Sequence, residues 1–267
     1  MAETQTLLFT VENGVGWITL NRPEARNAMH AEMRQGYLAA LGRCAEDAEI
    51  RAVVLTGTGK GFCTGADLSG SRAATGAAGP AHPGATRAAM APSQRVIRTL
   101  WELEKPTLAA VNGVAAGLGA HLAYACDLVV AAADARFIEV FVRRGIALDA
   151  GGAFLLARHV GLHRAKELVF FGDDLSAADA ERLGIVNKVV PAAELEKTAR
   201  EWAERLAKGP TFALGLSKRL LNRSLQSDLD ACFAEEAFTQ ALVSHSEDMR
   251  EGIRSFMEKR PPAFTGR

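Results

Sequence analysis

The sequence predicts an α/β fold in which short strands and helices stack into a spiral core and give way to a helical tail. Three observations point there. Residues 52–56 and 107–111 are short, continuous apolar runs, the pattern of strands buried on both faces. Each run leads into a bend dense in small residues, with a helix start close behind: Gly57-Thr58-Gly59-Lys60-Gly61-Phe62-Cys63-Thr64-Gly65-Ala66-Asp67 and Val111-Asn112-Gly113-Val114-Ala115-Ala116-Gly117-Leu118-Gly119. From Ala192 onwards the pattern is almost entirely helical. The strand–turn–helix spacing recurs without an exact repeat, which favours a stacked spiral over a doubly wound sheet.

Taken in order, residues 7–11 and 15–20 flank Glu12-Asn13-Gly14, a hairpin signal. Residues 30–50 carry a helical period, with Met33, Tyr37, Leu38 and Leu41 on one face. Residues 70–92 are rich in Ala, Gly, Ser and Pro and read as a mobile loop or lid. A helix over 93–103 follows, closed by Lys105-Pro106. Then come a strand at 107–111, a short helix at 117–124, a strand at 127–131 and an extended piece around Phe137. Helices are predicted over 153–159 and 164–171, and a strand over 188–190. The tail divides into helices at 194–207, 211–224, 229–244 and 248–259. The chain therefore splits into a core over 1–191 and a helical region over 192–267.

Composition excludes several classes of function. Lys+Arg and Asp+Glu both number 31 in 267 residues, so the formal charge is zero, which argues against a nucleic-acid surface. Cys44, Cys63, Cys126 and Cys232 are scattered, with no C-x-x-C and no metal-like spacing, so a reduced, cytoplasmic setting is expected. The first residues lack the basic and apolar regions of a signal peptide. The apolar stretch over 108–125 is broken by Asn112, Gly113, Gly117, Gly119 and His121 and does not read as a membrane span.

The two bends invite comparison with standard ligand loops, and none fits. Gly57-Thr58-Gly59-Lys60 is too short for a phosphate-binding loop, and Gly117-Leu118-Gly119 lacks the third glycine and distal acid of a dinucleotide fingerprint. There is neither a G-x-S-x-G nor an H-E-x-x-H. What such bends do offer is backbone N–H groups that a ligand can approach closely. Two of them in one domain suggest a site that grips a developing negative charge.

Several blocks resemble the enoyl-CoA hydratase/isomerase (crotonase) family. They are Asn21-Arg22-Pro23-Glu24-Ala25-Arg26-Asn27-Ala28-Met29, Phe62-Cys63-Thr64-Gly65-Ala66-Asp67-Leu68 and Lys105-Pro106-Thr107-Leu108-Ala109-Ala110-Val111-Asn112-Gly113. Cys126-Asp127-Leu128, Ala180-Glu181-Arg182-Leu183-Gly184-Ile185-Val186-Asn187 and the segment 251–260 follow in the family's order. The resemblance implies a ClpP-like fold of repeated β-β-α turns, a C-terminal helical region used for trimer formation, and a coenzyme A thioester as substrate. It makes the backbone N–H groups of Ala66 and Leu118 the oxyanion donors. Leu118 stands where the family usually has glycine, but only its amide is needed.

The departures from the family pattern lie at the catalytic carboxylates. Family hydratases use two glutamates to hold and activate water, and the corresponding positions here are His121 and Phe141. The segment from Phe141 to Gly152 is instead similar to an isomerase-like branch that includes epoxyphenylacetyl-CoA isomerases, in which a single aspartate before the Ala-Gly-Gly turn is the base. Asp149 matches it. Such a carboxylate also suits a helix N-cap, and the two roles can coexist. A partly apolar setting would raise its pKa from about 3.9 toward the range useful for proton transfer. His121 is expected to assist, while Glu139 reads as a surface or ion-paired acid.

By the same resemblance Arg26 and Ala28 fall in the segment that meets the nucleotide end of coenzyme A. Gly65, Asp67, Leu68 and Gly117 fall with the adenine pocket and the two bends, and Phe256 and Lys259 in a region that reaches a neighbouring subunit's ligand. No metal is expected, and no cofactor beyond the coenzyme A of the substrate. The predicted activity is double-bond isomerisation of an enoyl-CoA or a related ring-type acyl-CoA by a trimer or dimer of trimers. The alternatives are an enoyl-CoA hydratase of fatty-acid degradation and a non-catalytic coenzyme A-binding protein of the same fold.

Overall fold

A computed structural model describes residues 6–69 and 83–267. In chain order its elements are β1 (Leu7–Glu12), β2 (Val15–Leu20), α1 (Ala31–Glu46), β3 (Ala52–Gly57), β4 (Gly61–Cys63), α2 (Pro83–Trp101), β5 (Thr107–Val111), β6 (Val114–Ala116) and α3 (Leu118–Ala125). They continue with β7 (Leu128–Ala132), β8 (Arg136–Ile138), α4 (Gly152–Phe171), β9 (Asp174–Ser176), α5 (Ala177–Arg182) and β10 (Lys188–Val190). The chain closes with α6 (Leu195–Ala207), α7 (Thr211–Ser224), α8 (Leu229–Val243) and α9 (Glu247–Met257).

The strands alternate between two sheets. One has six strands in the order β1-β2-β3-β5-β7-β10, and the other has four in the order β4-β6-β8-β9. Successive pairs β3/β4, β5/β6 and β7/β8 each give one strand to each sheet, so the chain climbs as a spiral. The inner strands explain the sequence pattern: β5 is buried at all five positions, as a parallel strand covered on both faces must be. The β1–β2 hairpin turns through Asn13 and Gly14, both at positive φ.

One expectation is corrected. Residues 83–92, read as loop, form the first half of α2. Ala88, Ala89, Met90 and Ala91 are strong helix formers, so local propensity sustains these largely exposed turns. Their small size suggested a loop, although alanine is the residue a helix accommodates best. Pro92 is carried inside the helix, at the cost of one backbone hydrogen bond. The remainder of that predicted loop, 70–82, lies outside the described residues.

The helices predicted over 153–159 and 164–171 run together as α4, interrupted at Gly161, where φ is 75° and ψ is 163°. Strands β4 and β6 lie inside the two glycine-rich bends and β9 is a short stretch of mixed polarity, so none of the three shows a strand pattern of its own. In the tail, α6 packs on the larger sheet through Leu195, Ala199 and Ala203, whereas α8 has no buried residue. No helix among the described residues is long and apolar enough to cross a membrane.

Candidate active site

The first bend is built around Asn27. Its buried side chain donates from Nδ2 to the carbonyls of Thr58 (3.0 Å) and Gly61 (2.7 Å) and accepts at Oδ1 from the Arg22 amide (2.8 Å). This ties residues 22–29 to the start of β4 and sets Met29 beside Ala66 in a parallel bridge. Met29 N donates to Gly65 O (2.8 Å), and Asp67 N donates to Met29 O (3.1 Å). Both bonds go to the neighbours of Ala66, so the N–H of Ala66 itself faces the other way.

The other side is where the second bend lies. Gly65, at φ +97°, passes so close that an added Cβ would meet Ala116 O at 2.9 Å and Leu118 N at 3.6 Å. A Cβ on Gly119 would fall 1.9 Å from Cys63 O. Gly117, at φ 53°, is anchored by its N–H to Ile138 O (2.9 Å) and turns the chain into α3. Leu118 opens that helix, where its N–H has no intrahelical acceptor. The structure thus sets the Ala66 and Leu118 segments side by side.

His121 comes one turn into α3 and is fully buried. Its Nε2 lies 3.1 Å from Glu139 Oε2. One ring face stacks on Phe141, with centroids 5.4 Å apart and planes 11° from parallel. Glu139 follows β8 and is itself buried, so the expected surface position is corrected, and its described side-chain partner is His121. The Tyr124 hydroxyl has its pKa pushed well up by burial first, and then by the charge and hydrogen bonding of Glu139.

Asp149 stands at the entrance to α4. Its carbonyl accepts from Gly152 N (2.9 Å) across a turn in which Ala150 and Gly151 both have positive φ. The helix N-cap is Gly151, and no side chain caps it. The alternative reading of Asp149 as the cap is therefore corrected: the turn carries the cap one residue past the reach of its carboxylate. Among the described residues that carboxylate has no hydrogen-bond partner. Half-buried, it has a raised pKa, chiefly through desolvation; His121 opposes the shift and Glu139 adds to it.

The residues assigned to coenzyme A divide into two groups. Arg26 is exposed at φ 48°, with its carbonyl accepting from Thr64 N at 3.2 Å. The Ala28 carbonyl and Asp67 Oδ2 both accept from Arg22 Nη1, at 2.7 and 2.9 Å. Hydrogen bonds from Ser69 first, and then from Arg22, hold the Asp67 carboxyl at about 2. With exposed Leu68 these residues surround the Gly65–Ala66 bend. Phe256 and Lys259 lie exposed at the end of α9, and no described hydrogen bond, ion pair or ring contact joins them to this group. Cys63, buried beside the bend, has its thiol pushed up to about 12 by burial and is inert at neutral pH.

Arg22, Asn27 and Tyr124 were not anticipated as parts of the site, and Glu139 was read chiefly as a surface or ion-paired acid. The block 21–29 drew attention to the first two without revealing their bonds. The Glu139–His121 pair joins residues 18 apart through β8 and α3 and leaves no local sequence signal.

The two-sheet spiral brings its two backbone bends together with main-chain N–H groups between them, an arrangement suited to holding a developing negative charge. Residues 10–267 match the enoyl-CoA hydratase/isomerase family, and the chain belongs to it. It is 41% identical to the 1,2-epoxyphenylacetyl-CoA isomerase of Escherichia coli, over 98% of both chains. It is 40% identical to a protein of Rhodobacter capsulatus named "Probable enoyl-CoA hydratase", again over 98% of both. The structure of an enoyl-CoA hydratase/isomerase from Cupriavidus metallidurans superposes with a TM-score of 0.92 at 38% identity, covering 100% of this chain and 98% of that one. The fold is the crotonase fold, and the protein is an enzyme of that family.

Proposed function

We propose that this enzyme shifts a double bond, or rearranges a related ring, in the acyl group of a coenzyme A thioester by way of an enolate. The observation that carries the reading is the stacking of His121 on Phe141. By the family resemblance these are the positions of the two water-activating glutamates in the hydratases, and here both carry rings that stack on each other. Asp149 remains as the carboxylate at the mouth of the site with a raised pKa.

In this mechanism the amides of Ala66 and Leu118 donate to the thioester oxygen. Asp149 takes a proton from one carbon of the acyl chain, and the C–H electron pair passes into the enolate held by the two amides. The same carboxyl then returns the proton at another carbon, so the double bond moves with no net gain or loss of atoms. Desolvation of Asp149 makes it a stronger base than an exposed aspartate, and its carboxylic acid holds the proton long enough to deliver it. His121 assists as a polar wall of the acyl site. The chemistry asks for no group beyond the coenzyme A of the substrate.

Arg26, Ala28, Gly65, Asp67, Leu68 and Gly117 form the coenzyme A side of the site, with Phe256 and Lys259 supplied by a neighbouring subunit. The assembly is a homotrimer or dimer of trimers. Its support is α8, which exposes Leu229, Phe233, Phe238 and Leu242 and has no fully buried residue within its own chain.

A hydratase reading is favoured by one feature, the second buried carboxylate of Glu139 beside His121. Two assays separate the readings. A 3-enoyl-CoA incubated in D₂O should convert to the 2-enoyl isomer, with deuterium entering only as far as the carboxyl proton exchanges before its return, and Asp149→Asn should abolish the conversion. Rapid loss of the conjugated-thioester absorbance of crotonyl-CoA, dependent on Asp149 and without isomerisation, would overturn the proposal in favour of hydration.

A further inference from the structure

His121 and Glu139 form the only described close contact between a basic and an acidic side chain in which both are almost fully buried, at 0% and 2% exposure. A carboxylate removed from water is retained at a cost unless donors meet it. No lysine or arginine reaches Glu139 among the described residues. What meets it is the ring of His121 through Nε2, 3.1 Å from Oε2, while Oε1 is buried with no hydrogen-bond partner among the described residues. An ionised carboxylate can only accept, so that contact calls for a proton on Nε2.

Packing already fixes where the ring of His121 lies. Phe141 covers one face. Gly152 abuts the Cε1–Nε2 edge, where a Cβ would come within 2.3 Å of both atoms. The Tyr124 ring lies tilted 6.0 Å away. Packing does not decide which nitrogen carries the proton, and a ligand meets different chemistry at each tautomer. Nδ1 is buried with no hydrogen-bond partner among the described residues.

We propose that Glu139 is a positioning residue for His121: by accepting from Nε2 it keeps the proton there and leaves Nδ1 as the unprotonated, acceptor edge of the imidazole. This rests on the reading of the surrounding pocket as an acyl-CoA site. The titratable groups around the ring are Glu139 after β8, Tyr124 on α3 and Asp149 before α4. His159 on α4 bonds the Tyr124 carbonyl at 3.0 Å rather than His121.

The test is a pair of substitutions read by nitrogen NMR of histidine-labelled free enzyme, with the His121 signals assigned by their loss in His121→Asn. The wild-type enzyme should show a protonated Nε2 and a pyridine-like Nδ1. Glu139→Gln offers an acceptor oxygen in the same place and should keep both the tautomer and a kcat within about threefold. Glu139→Met, of similar length without an acceptor, should mix or reverse the tautomers. Its kcat should fall at least about tenfold with KM nearly unchanged, short of the roughly 10⁴-fold loss seen when a catalytic histidine is held in the wrong tautomer.

A protonated Nδ1 in the wild type overturns the inference. So does a folded Glu139→Met enzyme with unchanged tautomer and kcat, or a Glu139→Gln enzyme that falls as far as Glu139→Met. Should Glu139→Met fail to fold, the wild-type and Glu139→Gln spectra decide alone. Those spectra need no substrate, so they stand apart from the isomerase reading, which is decided by the turnover assays on wild type and Asp149→Asn.

Discussion

A methyl group on Gly152 would lie 2.3 Å from both Nε2 and Cε1 of His121, and 2.9 Å from Leu148 Cδ1. The first turn of α4 therefore touches the imidazole at a point where only hydrogen fits, and the chain that carries Asp149 is seated directly on the ring. Gly152→Ala must displace one of the two. Overpacking of this kind costs about 1–3 kcal/mol. Calorimetry should show that loss, and kcat should fall with it because His121 and Asp149 move relative to each other. A variant with wild-type stability and turnover would show that the contact is slack.

Gly119 makes an even closer approach, to a backbone atom that cannot swing aside. Its added Cβ would meet Cys63 O at 1.9 Å, so Gly119→Ala should prise the two bends apart. With one amide out of place, kcat/KM is expected to drop by roughly 10²–10³, the usual cost of an oxyanion donor. Leu118→Met provides the contrast. It keeps the volume of a buried side chain and leaves the amide in place, so stability should change by less than about 1.5 kcal/mol. Its turnover should stay close to wild type, whereas a collapse in kcat would implicate the side chain.

The contrast also marks what could be read from sequence. Both bends were visible because their glycines are imposed by close backbone approach at Gly65 and Gly119 and by positive φ at Gly65 and Gly117, which leaves a residue-type signature. Asp149 was visible from its place before Ala150-Gly151-Gly152. The arrangement around it was not. Whether His121 meets a carboxylate or only apolar walls depends on where β8 delivers Glu139, and that is settled by sheet packing between distant segments. The α2 residues 83–92 were misread for a different reason, since small residues serve loops and helices alike. The role of the exposed apolar residues of α8 is invisible within a single chain.

Those residues bear on assembly. Placing a charge at Phe238, exposed on a helix with no buried face, should weaken subunit association. Light scattering on Phe238→Asp is expected to show smaller species than the wild type. If Phe256 and Lys259 complete a neighbour's site, KM for the acyl-CoA should rise with dissociation while the Asp149-dependent step survives in residual turnover. A wild-type enzyme that is monomeric at assay concentration would remove the basis for this prediction.

The pH dependence follows from Asp149, whose pKa is raised chiefly by desolvation. As a base it must be ionised, so kcat/KM should fall as pH drops through that raised value, with an acid limb above the ordinary aspartate value of about 3.9. Stability runs the opposite way. A group with a higher pKa folded than unfolded stabilises the fold in its protonated form, fully below the unfolded pKa, and loses that contribution as pH rises through the folded one. At neutral pH the wild type therefore carries an ionised, partly desolvated carboxylate that Asp149→Asn removes. The asparagine variant should melt at a higher temperature than wild type near pH 7, and the gap should close in acid as the wild-type carboxyl becomes neutral in both states. It should also lose isomerase activity by roughly 10²–10⁴, the range for removing a general base. A variant that is inactive but less stable than wild type at neutral pH would mean that Asp149 holds the turn together, and the loss of activity would then say nothing about proton transfer.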